Sequence, residues 1–332
     1  MGGHRARREI VITARSRLTV CALAGALVLG LLAPRSLRAA GADAEAAADG
    51  RGWGYVVRKL IEDGKPRAQI VPVFADRRMP PFTGLSFSLH PSESRALYRR
   101  LLSRGSVAEA RRCRTRNASA FEAAERTQGV PASVIAAILH VESSCGRNAG
   151  SSPTLYALAR LAMAGEPENL AANIERHAGS DAERDPAIVA QVQARARYLE
   201  ETFYPEVRAL FDVAERMGVE PLALRGSSAG AFGYPQFLPT SYLQDGVDAD
   251  GDGRVSLDDF EDAAASCARF LVHHGWRSGM STTERRAVLW QYNRSSSYID
   301  TVLTLARSIE GRAAPSRVGP KRARRHGHAP AT

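Results

Sequence analysis

Cysteine is scarce in this chain, with four in 332 residues: Cys21, Cys113, Cys145 and Cys267. That excludes a small disulfide-built scaffold and a multi-cysteine zinc module. The apolar run Leu18–Ala33 is 16 residues long, short of the roughly 20 that a membrane-spanning helix needs. The glycine-rich stretch 226–242 holds no lysine, which excludes a phosphate-binding loop of the Walker type. Ser227 and Ser228 do not sit in a Gly-x-Ser-x-Gly elbow, so Ser-His-Asp catalysis has no support. His140, His273 and His274 offer no closed metal-ligand spacing and read as core or surface histidines. Almost no segment alternates with period two, and no internal repeat is present, so the fold is mainly α.

Acidic residues are missing from the last stretch. Residues 311–332 carry five Arg and one Lys without an acid, and residues 1–38 carry seven Arg against one Glu. Together they exceed the whole formal charge of +10, leaving the middle near −2. The basicity therefore argues against a nucleic-acid-binding body. The N-terminus reads as an export signal: Arg5, Arg7, Arg8, Arg15 and Arg17, then the apolar run, then small residues at Ala39, Ala40 and Ala42. An uncleaved signal would instead anchor the chain. Either way the expected location is the periplasm or cell envelope. Three cysteines remain after cleavage. A Cys113–Cys145 pair near two helix ends is one reading, and three free buried thiols is the other.

The expected order begins with a signal over 1–39 and a linker over Ala39–Gly50. A helix over 52–63 and a loop-rich segment over 71–92 follow. Two helices over 92–128 precede one over 131–144 opened by Pro131. Further helices are expected at 154–163, as two exposed elements within 165–200, and at 201–217, 260–274, 282–291 and 298–310, the last capped from Ser295–Ser297. The tail after Gly311 is expected to be disordered.

Three stretches carry chemistry. Gly226, Gly230 and Gly233 leave backbone open to close approach, while Ser227, Gln236, Tyr234 and Tyr242 supply neutral polar groups and flat faces. That suits a hydroxyl-rich ligand such as a sugar chain. Glu142 falls four residues after Ile138, three after Leu139 and seven after Ile135, on the apolar face of its helix. Burial there raises a carboxyl pKa, as a general acid at neutral pH requires; the plain alternative is a helix-end Glu that reaches solvent or pairs with Arg147. Residues 248–259 follow the calcium-loop plan, with oxygens from Asp248, Asp250, Asp252 and Ser256, the Arg254 carbonyl, Gly253 at the turn and Asp259 closing. A weaker element is Tyr292-Asn293-Arg294-Ser295-Ser296-Ser297-Tyr298, able to stack on and hydrogen-bond to sugars.

In combination these motifs resemble the membrane-bound lytic transglycosylase B family (glycoside hydrolase family 103). Val141-Glu142-Ser143-Ser144-Cys145-Gly146 is similar to its Val-Glu-Thr-x-x-Gly motif. Ala229-Gly230-Ala231-Phe232-Gly233-Tyr234-Pro235-Gln236-Phe237-Leu238-Pro239 is similar to its Ala-Gly-Ala-Met-Gly-x-x-Gln-Phe-Met-Pro motif. The Asp loop, Tyr98-Arg99 and Tyr292-Asn293 with Tyr298 also fit. The resemblance covers residues 95–310. It implies a lysozyme-like α-helical catalytic domain with a single EF-hand-like calcium loop, preceded by a segment over 40–94 and followed by a basic tail over 311–332.

The resemblance further implies a peptidoglycan lytic transglycosylase with Glu142 as sole catalytic carboxyl. Ser227, Gln236, Tyr98, Tyr292, Asn293 and Tyr298 would bind substrate, structural calcium would sit at Asp248, Asp250, Asp252, Arg254 and Asp259, and no organic cofactor is implied. Departures from the family pattern are Ser143 for threonine, Cys145 for a common aromatic, Phe270 for a cleft tyrosine, and a longer 165–200 stretch. A hydrolytic muramidase or a non-catalytic peptidoglycan-binding protein are the alternatives. The expected partner is the glycan strand, with weak envelope association through the basic tail, no nucleic acid, and a monomeric state.

Overall fold

A computed structural model describes residues 35–91, 95–180 and 185–311. Two compact units are distinguished, 1–40 and 41–332. Of the first, only the opening turns of one helix are described. The expected signal and the basic tail lie outside the described residues, apart from Arg35–Ala39 and Gly311. No described helix is long and apolar enough to cross a membrane.

Helices dominate. The chain opens with α1 (Arg35–Gly50), α2 (Gly54–Glu62) and α3 (Arg67–Ala75). Two expectations are corrected here. The presumed linker is helical, and Ala48 at its end is buried. The segment expected to be loop-rich begins inside α3, because Ile70, Val71 and Phe74 bury at helical spacing despite Pro72. Trp53 organises this region. It is fully buried, lies 5.4–6.0 Å from the rings of Phe74, Phe82 and Tyr156, and donates its indole N–H to the Pro80 carbonyl.

Three helices, not two, follow: α4 (Arg95–Leu101), α5 (Arg104–Arg116) and α6 (Ala118–Gln128). Ser103 caps α5 by accepting from the Ser106 N–H, and Gly129 ends α6 in the left-handed conformation. The central helix α7 (Ala132–Ser143) is buried from Ala132 to His140, with α5, α6, α12 and α14 around it. A helix apolar on all sides can only sit inside, and this one does.

A two-residue strand β1 (Ser152–Pro153) leads into α8 (Thr154–Ala162), α9 (Pro167–Ala178) and α10 (Pro186–Met217). The break expected near residue 200 is absent, and α10 runs 32 residues through Pro205. Its buried stripe of Val192, Ala196, Leu199, Val207, Leu210 and Ala214 continues across that point, so packing outweighs the one hydrogen bond that Pro205 removes. Strand β2 (Arg225–Gly226) pairs antiparallel with β1, Ser152 opposite Gly226. The chain ends in α11 (Pro239–Asp245), α12 (Phe260–His273), α13 (Thr282–Tyr292) and α14 (Ser296–Ile309). Ser281 and Glu284 form a capping box on α13, and Ser295 caps α14.

Candidate active site

Glu142 sits in the last turn of α7, where the helix ends abruptly. Ser144 and Cys145 both take positive φ, 52° and 56°, and Gly146 follows at 79°. Two consecutive non-glycine residues in the left-handed region are costly and must be held by their surroundings. They are. The Ser144 and Cys145 N–H groups bond back to the His140 and Leu139 carbonyls, and the buried Ser143 hydroxyl donates to Leu139 while accepting from the Gly146 N–H. Gly146 meets Tyr234: a Cβ there would lie 2.5 Å from the tyrosine ring. Cys145 is joined by a disulfide to Cys113 of α5, and Cys267 is buried with a free thiol.

Glu142 opens into a cleft of about 550 Å³. One wall is the turn after α7, Arg147 to Ser152; the other is Gly226–Ser228 and Gln236, joined across by the β1–β2 pair. Glu142 is the only carboxylate among the described lining residues. Burial raises its pKa to about 7, with the Tyr298 hydroxyl pulling the other way. That hydroxyl is buried and makes no hydrogen bond of ordinary geometry, so its hold on Glu142 is loose. Arg147 does not pair with Glu142; it pairs with Glu109 on α5. Three other buried carboxyls also titrate high, again because of burial. Glu206 is engaged by Thr240, Asp245 by His273 and Asp262 by the Ala249 and Ser256 N–H groups, and none lines this cleft.

The proposed binding residues divide. Ser227 and Gln236 line the cleft. The Gln236 amide donates to the Ala149 and Gly233 carbonyls, so this residue, at φ 52°, ties the two walls. Tyr292 and Tyr298 lie behind Glu142 as a stacked pair, centroids 6.3 Å apart, and Tyr292 donates to the Pro235 carbonyl at 2.6 Å. Phe270 packs edge-on against Tyr292 at 4.9 Å. Tyr98 on α4 packs half-buried against the core and Asn293 ends α13; neither lines the Glu142 cleft. Tyr242 is core, its hydroxyl given to the Val255 carbonyl. Gly226 lines the cleft, whereas Gly230 and Gly233 serve packing: a Cβ on Gly230 would strike Leu158 at 2.4 Å and one on Gly233 would strike Leu257 at 2.3 Å. His140 is buried against the Ser106 hydroxyl at 2.8 Å, while His273 bonds Asp245, so neither reads as a metal ligand.

The Asp loop forms, and a further carboxylate, Asp262, lies with those of its first positions. Asp248 accepts from Gly251 and Gly253, Asp250 from Asp252, and Asp252 from Arg254. Carboxylate oxygens of Asp248, Asp250 and Asp262 gather within 4.8 Å of one another. Asp259 caps α12, accepting from the Asp262 N–H at 2.9 Å. Asp262, one helical turn on, closes the loop and accepts from Ala249 and Ser256 at 2.7 Å each. A hard oxygen cluster of this size suits calcium.

A lysozyme-like helical body with one partly exposed carboxyl, its pKa raised by desolvation, in a polar cleft has what a glycan-cleaving class needs. The family described as Transglycosylase SLT domain matches residues 57–286, and the chain belongs to it. It is 35% identical over 160 residues to membrane-bound lytic murein transglycosylase B of Escherichia coli (strain K12), covering 48% of this chain and 36% of that protein. The matched segment thus spans about a third of that relative's length. In fold it is similar to the soluble lytic transglycosylase SltB1 of Pseudomonas aeruginosa (TM-score 0.59, 22% identity, 78% of this chain and 98% of that one). It is also similar to the Escherichia coli lytic transglycosylase Slt35 solved in complex with calcium (TM-score 0.57, 20% identity, 78% and 92%).

Proposed function

We infer that the chain is a peptidoglycan lytic transglycosylase that cleaves the β-1,4 bond between N-acetylmuramic acid and N-acetylglucosamine, leaving a 1,6-anhydromuramyl end. One observation carries this reading: Glu142 is the sole carboxyl lining the cleft among the described residues, and its pKa is about 7. Two-carboxylate glycosidases need a partner acid roughly 5–10 Å away to supply a nucleophile or activate water. With one carboxyl the same group must act twice. Protonated Glu142 gives its proton to the glycosidic oxygen as the C1–O bond breaks. The resulting carboxylate takes the proton of the muramyl C6 hydroxyl as that oxygen bonds to C1. Protons balance, Glu142 returns to its starting form, and no water is consumed. A group near pKa 7 is suited to both halves.

Ser227, Ser228 and Gln236 offer neutral hydrogen-bonding groups along the strand. Tyr98, Tyr292, Asn293 and Tyr298 support the site from the helices around it. Asp248, Asp250 and Asp262, with the neighbouring loop oxygens of Asp252 and Arg254, would hold a calcium ion, which would supply charge balance where the chain turns into α12. The reading places the chain in the envelope after export, with residues 41–310 as the working body. Glu142→Gln is the direct test. Lysis of purified peptidoglycan falls by several orders of magnitude while sedimentation with the sacculi persists. Undiminished lysis would remove Glu142 from the mechanism.

A further inference from the structure

The C-terminal end of α7 is tied to α5 three times, and the ties bracket Glu142. His140 Nε2 meets the Ser106 hydroxyl at 2.8 Å, Cys145 is disulfide-linked to Cys113, and Arg147 pairs with Glu109. Ser106, Glu109 and Cys113 lie on one helix, at positions spaced three and four apart, hence on one face. His140 Nδ1 also lies 3.9 Å from the Cys145 sulfur, which links two of the ties to each other. Between the ties runs the segment whose two left-handed non-glycine residues need external support.

Resting on the reading of Glu142 as the acid–base, we propose that the Cys113–Cys145 disulfide is a positioning element for catalysis, which holds the Ser144–Cys145 turn and thereby fixes the Glu142 carboxyl in its buried setting. Cys113 is buried, while Cys145 is partly exposed. A dithiol reductant breaks the S–S bond. Each sulfur gains one electron and one proton, and the reductant closes into its own disulfide. The freed turn relaxes toward ordinary φ, and Glu142 gains solvent. The groups facing Glu142 from the other elements are Tyr298 on α14, Tyr292 on α13 and Cys267 on α12, with Arg147 beyond it in the cleft. None is a cation in contact with the carboxyl, so the pKa of Glu142 follows its burial.

The test uses the full chain, treated with dithiothreitol, checked for retained helicity, then assayed on purified peptidoglycan from pH 5 to 9. Expected is a loss of kcat at neutral pH on the order of 10- to 100-fold with KM nearly unchanged, as for a misplaced catalytic group. The basic limb of the profile moves to lower pH, and reoxidation restores both. Cys113→Ser/Cys145→Ser matches the reduced protein and ignores the reductant. Unchanged kcat and profile in the folded, reduced protein, with Glu142→Gln inactive, would overturn the positioning role alone. Retained turnover in Glu142→Gln would overturn the catalytic reading beneath it. If reduction unfolds the chain, a folded Cys113→Val/Cys145→Ala variant carries the test, with Ser106→Ala and Glu109→Gln as controls that keep the bridge: a selective kcat loss in the bridge-free variant supports the positioning role and unchanged kcat refutes it.

Discussion

Removing the charge of Glu142 stabilises the fold, and does so only where the carboxyl is ionised. Burial raises its pKa from 4.5 to about 7. Below pH 4.5 the group is protonated in both folded and unfolded chains, and nothing is lost. As pH rises from 4.5 to 7, the unfolded chain releases the proton while the folded chain keeps it, so stability falls. Above pH 7 both states are ionised and the full penalty remains. At about 1.4 kcal/mol per pKa unit, the loss between pH 5 and pH 8 is about 2–3 kcal/mol. Glu142→Gln keeps the shape and removes the titration. Its advantage over the wild-type chain therefore grows by that amount between the two pH values. For a body of this size the change corresponds to roughly 5 °C in Tm. Thermal unfolding of both proteins at pH 5 and pH 8, in constant excess calcium, gives the number. A Tm difference that does not change with pH would mean that Glu142 titrates as an ordinary surface carboxyl, and the argument for a poised acid would fail.

Three further outcomes follow from the geometry. Tyr298→Phe removes a hydroxyl that favours the Glu142 carboxylate, so the basic limb of the pH–rate profile moves to higher pH; a shift to lower pH contradicts that pairing. Asp262→Asn weakens the carboxylate that receives the Ala249 and Ser256 N–H groups and closes the loop, costing about 2 kcal/mol and most of the calcium-dependent rise in Tm, whereas Asp259→Asn leaves that rise largely intact. Gly150→Ala places a Cβ 2.1 Å from the Gly226 carbonyl at φ +92°, which forces β1 from β2 and costs about 2–3 kcal/mol in urea unfolding; a neutral result would mean that the cleft walls are not coupled there.

What could be read from the sequence depended on how local the cause was. Glu142 was legible because its burial follows from helix periodicity with Ile135, Ile138 and Leu139, and α7 is the buried helix that this pattern describes. The α14 cap at Ser295 is likewise a side chain to backbone bond within three residues. The metal loop was legible in its first five positions for the same reason. The place of Asp262 in the carboxylate cluster was not, because it depends on how α12 packs back on the loop while Asp259 caps that helix. The glycine-rich wall was the harder case. Gly230 and Gly233 meet Leu158 and Leu257, partners far away in sequence, so the same composition that fits close ligand approach also fits close packing. Tyr242 and the continuity of α10 across Pro205 are decided likewise, by burial that no short window contains.

The central claim is that one carboxyl acts first as acid and then as base, with the muramyl C6 hydroxyl in place of water. Mass spectrometry of the products released from purified peptidoglycan by the calcium-loaded protein tests it most directly. Expected are 1,6-anhydromuramyl ends, lighter by one water than reducing ends and lost together with activity in Glu142→Gln. Reducing muramyl ends would contradict it, because water would then be the nucleophile and a second base would be required.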